Sequence, residues 1–236
     1  MELAGRSVVL TGVGREGQVG EAVAQAFAER GARVFLVGHR EADVRARAEA
    51  LLARGLRAAA LAADLTDAAA VAGIAERVRD ATAGRLTALV HAAGGFAASG
   101  PVAESDPAIW QRQFAINATT AYLTARALLP LLRAGKGSIV FFASEAVLPG
   151  AQVVELSAYV AAKNAVVALM HAIAQEEKSH GVRANAVAPT AIRTAVNVAS
   201  MGADTPMVAR EAVADVVLWL CSDAARAVSG QLIPVR

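Results

Sequence analysis

The sequence predicts a single α/β domain built on a seven-stranded, doubly wound parallel sheet with helices on both faces. Short β-rich apolar runs alternate with longer Ala-rich amphipathic segments, the alternation opens as βαβαβ, and a glycine-rich turn leads from the first run into the first helix. The strands are read at Ser7–Leu10, Arg33–Val37, Arg57–Leu61, Ala88–His91, Ser138–Phe142, Arg183–Val187 and Gln231–Val235. Several are apolar without a break, as strands covered on both faces must be. Between them the helical pattern runs at about Gly20–Arg30, Glu41–Arg54, Ala68–Thr82, Pro107–Leu132, Ala158–Ser179 and Arg210–Cys221. Gly31, Gly55, Gly84 and Gly181 follow four of these, where a helix end favours a left-handed residue. No repeat, linker or composition break marks a second domain, so residues 1–236 are read as one unit. The irregular stretch 195–209, with Gly202 and Pro206, is the candidate substrate lid.

Composition excludes several classes. The chain is 56% hydrophobic but only 4% aromatic, its apolar character coming from Ala, Val and Leu spread throughout, which rules out a disordered protein. The longest uncharged stretch, Leu86 to Ala103, contains Gly94, Gly95, Gly100 and Pro101 and so predicts no spanning helix. Met1 to Leu10, with an acidic residue at position 2 and a brief apolar run, reads as a first strand rather than a signal peptide, so a cytoplasmic protein without membrane association is expected. One cysteine, Cys221, excludes an internal disulfide framework. The net charge of +2 comes from 23 basic and 21 acidic residues intermixed, with no basic block for nucleic acid. His39, His91, His171 and His180 lie in separate segments without metal-ligand spacing, so they read as surface or core histidines and no metal is expected.

After the first strand comes Thr11-Gly12-Val13-Gly14-Arg15-Glu16-Gly17-Gln18-Val19-Gly20. Glycines permit close backbone approach, and the free N–H groups and dipole of the following helix favour a pyrophosphate. The same segment also reads as a plain strand-to-helix turn. Asp64, after the third strand, either caps the next helix or bonds an adenine amine. Where many dinucleotide sites carry an acidic residue at the end of the second strand, this chain has Val37-Gly38-His39-Arg40. Arg40, with Arg15, can pair a 2′-phosphate, so charge favours NADP over NAD, although both arginines also read as solvated charges beside Glu16 and Glu41.

Tyr159 and Lys163 are four apart in a predicted helix and share one face, as do Tyr122 and Arg126. A phenol near pKa 10 needs about 4 kcal/mol of differential stabilisation to titrate near 7, which an ammonium and a cationic nicotinamide can supply together. Ser144 follows the fifth strand, at the carboxyl edge where ligands sit, and Asn117 lies inside the long helical segment, where a buried amide must hold water or bond backbone.

These residues together resemble the short-chain dehydrogenase/reductase family over nearly the whole chain, and that resemblance implies a Rossmann-type fold. His91-Ala92-Ala93-Gly94 stands where the family usually has Asn-Asn-Ala-Gly, and Asn185 to Thr190 stands where it has Pro-Gly after the sixth strand. The resemblance implies a tetrad of Asn117, Ser144, Tyr159 and Lys163. Tyr159 would be the acid/base and Ser144 would hold the substrate oxygen. Lys163 would bond the nicotinamide ribose and lower the tyrosine pKa, and Asn117 would anchor a water relay. Cofactor contacts are expected from Gly12, Arg15, Gly17, Gln18, Val19, Gly20, Arg40, Asp64, Leu65, Ala93, Gly94, Pro189, Ile192 and Thr194, together with Tyr159 and Lys163; of these the resemblance implies Asp64 for the adenine, Gly94 for the adenosine ribose region and Ile192 for the carboxamide.

The glycine segment is two residues longer than the family's usual one, a length that resembles enoyl reductases. Those place tyrosine and lysine seven apart, and position 156 is Leu. The leading expectation is therefore hydride transfer between NADP(H), or NAD(H), and a small carbonyl or alcohol substrate. A dinucleotide-binding sensor without turnover and an enoyl reductase are the alternatives. Met201 and Met207 read either as lining of an apolar substrate pocket or as surface methionines, and no Arg or Lys lies inside 195–209, though Arg193 and Arg210 flank it. The apolar circumference of Pro107–Leu132 and Ala158–Ser179 predicts self-association, and the family resemblance implies a homotetramer, with a dimer as the smaller alternative.

Overall fold

A computed structural model describes residues 3–236; Met1 and Glu2, and with them the acidic start of the chain, lie outside it. Seven strands form one parallel sheet in the order β3-β2-β1-β4-β5-β6-β7. They are β1 (Ser7–Thr11), β2 (Arg33–Gly38), β3 (Arg57–Ala62), β4 (Ala88–His91), β5 (Ser138–Phe142), β6 (Arg183–Pro189) and β7 (Leu232–Val235). Side chains alternate across the sheet, and both faces are covered. Val8, Leu10, Val34 and Leu36 enter one core beneath α1 (Val19–Glu29) and α2 (Glu41–Leu52), while Val9, Phe35, Ile139 and Phe141 enter the other beneath α3 (Ala68–Thr82). The strand order reverses between β1 and β4, and in open α/β sheets that crevice at the carboxyl ends is where ligands bind.

The segment expected as one helix over Pro107–Leu132 is three pieces. These are α4 (Pro107–Gln113), a π-helical turn at Phe114–Thr119, and α5 (Thr120–Gly135). The wider turn accommodates Asn117, which is 1% exposed and bonds backbone rather than following regular helix geometry. The next helix, α6 (Ser157–Glu176), is long and apolar enough by length and composition to cross a membrane, yet Ala162, Val166, Met170 and Ile173 are buried in this structure. The stretch expected to be irregular holds a short helix, α7 (Ala195–Met201), before α8 (Arg210–Leu220). Its root is fixed by a parallel bridge between Ile192 and Val208, and Thr194 caps α7 by accepting from Asn197 N–H at 3.2 Å. Gly31, Gly55, Gly84 and Gly181 all take positive φ, between 73° and 88°.

Candidate active site

The first turn after β1 is held by close backbone packing. A Cβ on Gly12, at φ 76°, would lie 2.5 Å from the carbonyl carbon of Ala92, so the strand-end loops of β1 and β4 touch only because that atom is missing. The expected anion cradle follows. Gln18, the N-cap of α1, makes no side-chain bond to the first turn, so that turn's N–H groups receive no cap from it. Nothing lies within 4 Å of where a side chain would start at Gly14, and only Ala195 Cβ and Arg210 Nη1, both at 3.9 Å, face Gly17. Val19 packs on the core and Gly20 is buried. The residues of the loop thus fit an anionic group over the helix end, with one change from expectation. Gly17 N–H already donates to Glu21 Oε2 at 2.7 Å. Sequence reading passed over Glu21, although a carboxylate three residues into a helix is a recognised capping position.

Arg15 and Arg40 are exposed and make no ion pair among the described residues. The adjacent carboxylates are engaged elsewhere, Glu41 by Arg45 and Glu16 by Arg47 at 3.5 Å. Asp64 is not the cap of α3. That role belongs to Asp67, which accepts from Ala69 N–H at 2.8 Å, because three residues separate Asp64 from the helix start. Asp64 instead accepts from Thr66 N–H and Oγ1 at 2.9 and 2.7 Å, bonds that lower its pKa, at the exposed edge beside buried Leu65.

At the floor of the crevice Thr11 and His91 are directly paired across β1 and β4. Ala93 N–H donates to Thr11 Oγ1 at 3.2 Å, Thr11 Oγ1 lies 3.0 Å from His91 Nδ1, and His91 Nε2 lies 3.3 Å from Thr120 Oγ1. Thr120 in turn donates to the Ile116 carbonyl at 2.8 Å. Following the donors through, His91 is neutral with its proton on Nε2. Desolvation, then the nearby Lys163 charge, push its pKa down to about 3. His91 is thus a core histidine, and His39, His171 and His180 are exposed.

The four expected catalytic side chains come from three consecutive units of the fold. Asn117 is clamped by its neighbours: Nδ2 donates to Gly95 O and Gln113 O, both at 3.0 Å, and Oδ1 accepts from Gly95 N–H at 3.2 Å. Of its two open readings the side chain takes the backbone-bonding one. Gly94 fits between Asn117 and Lys163, since a Cβ there would collide with Asn117 Oδ1 and stand 3.4 Å from Lys163 Nζ. Lys163 is 6% exposed, and its Nζ donates to the Phe142 carbonyl at 2.8 Å; burial pushes its pKa down to about 8.

Tyr159 lies one turn earlier, with Lys163 Nζ 5.9 Å from its ring centroid. Within the protein alone its pKa is raised. Desolvation of the half-buried phenol outweighs the opposing hydrogen bond from Ser144, and Lys163 faces the Phe142 carbonyl. Ser144 also caps the following turn through Ala146 N–H at 3.2 Å. Tyr122 is 51% exposed on α5 and takes no part. Phe96, not anticipated from sequence, stands edge-on to Tyr159 with ring centroids 5.1 Å apart and is 65% exposed. The loop carrying it is tied to the start of α6, because Ser99 N–H and Oγ reach the Glu155 carbonyl at 2.8 and 3.1 Å.

Pro189 ends β6 beneath the lid root. Asn197 Nδ2 donates to the Ile192 carbonyl at 2.8 Å, and Thr194 is buried at the start of α7. Of the two flanking arginines, Arg193 donates to Ala203 O at 3.4 Å and Arg210 turns toward Glu21 and Glu211. Two cavities of about 710 and 590 Å³ open at the amino-terminal edge of the sheet, where both touch Arg6 and Thr87, and neither includes Tyr159 or the glycine loop.

Residues 12–236 match the family model described as Enoyl-(Acyl carrier protein) reductase. The chain is 36% identical to 2-(S)-hydroxypropyl-CoM dehydrogenase 3 of Xanthobacter autotrophicus, over 97% of this chain and 94% of that protein. It is 34% identical to galactitol 2-dehydrogenase of Rhizobium johnstonii, over 99% and 94%. Among solved structures, a short-chain type dehydrogenase/reductase from Mycobacterium ulcerans superposes with a TM-score of 0.90 at 29% identity, covering 100% of this chain and 90% of that one. NAD+-bound xylitol dehydrogenase shares the fold with a TM-score of 0.89 at 22% identity, over 100% and 99%.

Proposed function

The chain belongs to the short-chain dehydrogenase/reductase family, and from that premise we propose an NADP-preferring enzyme that interconverts a small apolar ketone and its alcohol with Tyr159 as acid/base. That it is a nicotinamide-dependent oxidoreductase of alcohol or carbonyl substrates follows from its relatives, which favour neither the sensor nor the enoyl reductase reading. The observation that carries the assignment of chemistry is the juxtaposition of Ser144, Tyr159 and Lys163 at the carboxyl edge of the sheet. The nicotinamide, when bound, supplies or accepts the hydride.

Tyr159 gives its phenolic proton to the carbonyl oxygen in reduction and takes it back in oxidation. Ser144, at the end of β5 on the same side as that phenol, holds the substrate oxygen beside it. Lys163, charged below about pH 8 in a buried setting, favours the phenolate and would reach the nicotinamide ribose, while Asn117 stiffens the wall behind it. Gly12, Gln18, Val19 and Gly20 would hold the diphosphate, Asp64, Leu65 and Ala93 the adenosine half, and Pro189, Ile192 and Thr194 the carboxamide side.

The preference for NADP is supported by the two unpaired guanidiniums, Arg15 and Arg40, whose neighbouring carboxylates are engaged by Arg45 and Arg47. An apolar substrate is supported by exposed Phe96 against Tyr159 and by both lid-flanking arginines being occupied within the chain. Residues 195–209 act as the lid over this single domain. Exposed Trp110 and Tyr122 on the outer surface of α4 and α5 support a homotetramer, and the lone buried thiol suits a cytoplasmic setting.

The test is fluorescence titration with NADPH and NADH, followed by turnover on cyclic and open-chain ketones. NADPH binds more tightly than NADH, and Arg40→Ala removes the difference. Tyr159→Phe still binds cofactor but loses about 10²- to 10⁴-fold in rate, the usual worth of a positioned acid/base. A protein that binds neither dinucleotide, or a Tyr159→Phe variant with unchanged turnover, refutes the proposal.

A further inference from the structure

One carboxylate ties together three parts of the chain that surround the glycine loop. Glu21, in the first turn of α1, turns back so that Oε2 accepts from Gly17 N–H at 2.7 Å while Oε1 takes Arg47 Nη1 at 2.6 Å. Arg47, from α2, is mostly buried and also reaches Glu16 Oε2 at 3.5 Å. From the lid side, Arg210 at the start of α8 brings Nη1 within 3.5 Å of Glu21 Oε2 and Nη2 within 3.2 Å of Glu211 Oε1. The same Nη1 and the Cβ of Ala195, at the start of α7, are what a side chain on Gly17 would meet. Both ends of the 195–209 segment therefore converge on the glycine loop.

The end of α1 favours negative charge, and the chain's own carboxylate occupies part of it. Three carboxylates, Glu16, Glu21 and Glu211, face two guanidiniums there, so the cluster carries an uncompensated negative charge. A dinucleotide diphosphate brings two more negative charges to that helix end. Arg47 holds Glu21 by a short, shielded contact, whereas Arg210 holds it at 3.5 Å with its side chain 27% exposed. Arg210 is accordingly the partner that can be transferred.

We propose that Arg210 is a cofactor-positioning residue that exchanges Glu21 for the diphosphate when the dinucleotide binds, locking the end of the lid in place against the glycine loop, and that Glu21 is the built-in competitor that limits affinity. The inference rests on reading the crevice as the dinucleotide site. It gives the two residues effects of opposite sign. Arg210→Gln removes a charge-assisted contact from the bound state, whereas Glu21→Gln removes the competitor. A purely structural role for Glu21 predicts the reverse, since losing its bonds to Gly17 and Arg47 would loosen the loop and weaken binding.

The experiment titrates wild type, Arg210→Gln and Glu21→Gln with NADPH at low and high salt, with thermal unfolding of each protein alone. Hydrogen exchange of residues 195–209 is followed with and without NADPH. Arg210→Gln is expected to raise Kd about tenfold or more, as loss of one hydrogen bond to a charged group does, and to flatten its salt dependence. NADPH should slow exchange over 195–209 in wild type but not in this variant. Glu21→Gln is expected to lower Kd severalfold even though its Tm falls. An Arg210→Gln Kd within twofold of wild type refutes the exchange, as does a Glu21→Gln protein whose binding weakens in step with its Tm. Wild type that binds no dinucleotide overturns the site reading together with the exchange; wild type that binds normally while Arg210→Gln is unchanged overturns the exchange alone.

Discussion

Replacing His91 by Asn, the residue the family usually has there, tests the buried hydrogen-bond chain at the crevice floor. The imidazole is 2% exposed, and burial pushes its pKa from 6.5 to about 3. Between those values the unfolded chain binds a proton that the folded protein refuses, so stability is full above pH 6.5 and falls as pH drops toward 3. At about 1.4 kcal/mol per unit, the loss reaches about 3 kcal/mol at pH 4.5 and about 5 kcal/mol at pH 3. At pH 7.5, where no proton is at stake, His91→Asn gives up the bonds to Thr11 and Thr120 and some packing, costing about 1–3 kcal/mol. The variant should thus be less stable than wild type at pH 7.5 and equal or more stable at pH 4.5. Urea unfolding at pH 7.5, 6.0 and 4.5 measures this, and contributions from groups common to both proteins cancel in the difference. A difference that stays constant from pH 7.5 to 4.5 would show that His91 takes up its proton in the fold as readily as in the unfolded chain, and would refute the burial argument.

Two further substitutions probe the wall behind the tyrosine. Lys163, with its folded pKa pushed from 10.5 down to about 8, disfavours folding most below pH 8, and that cost fades as pH rises toward 10.5. Lys163→Met should lose turnover, and its stability relative to wild type should decline by about 2 kcal/mol between pH 7 and 9.5; parallel denaturation curves at both pH values would sink the argument. Gly94→Ala places a Cβ against Asn117 Oδ1 at a φ of 154°, so a loss of about 1–3 kcal/mol in thermal unfolding and a fall in kcat are expected, and unchanged kinetics would mean the Asn117 wall is not needed in place.

All seven strands lie within two residues of where apolar runs put them; for the five central ones this is because a strand buried on both faces must write its burial into composition, while the edge strands β3 and β7 are only partly buried. Helix ends were legible where glycine marks them. The break in Pro107–Leu132 was not, since a π turn uses the same residue types as the helix around it. α7 was missed because seven residues spanning Ala195–Met201 are too few to show a period. In the candidate site, Ser144, Tyr159 and Lys163 were readable because two come from one helix face and the third from a strand end. The Glu21, Arg47 and Arg210 cluster was not, because its members are brought together only by the packing of α1, α2 and α8. Phe96 gave no signal either, since a lone aromatic after glycine says nothing of which ring it will meet.

The π turn at Phe114–Thr119 also makes this part of the chain a phase marker. One extra residue in a helix offsets everything beyond it by about 100°. Deleting a single residue there would let the backbone relax into an uninterrupted α-helix, and α4 would rotate relative to α5 even though no side chain chemistry had changed. Trp110 and Phe114, whose rings lie 5.0 Å apart, would swing to a different side of the molecule from Tyr122, and Asn117 would lose Gly95. Length, more than residue identity, is what this stretch has to keep constant.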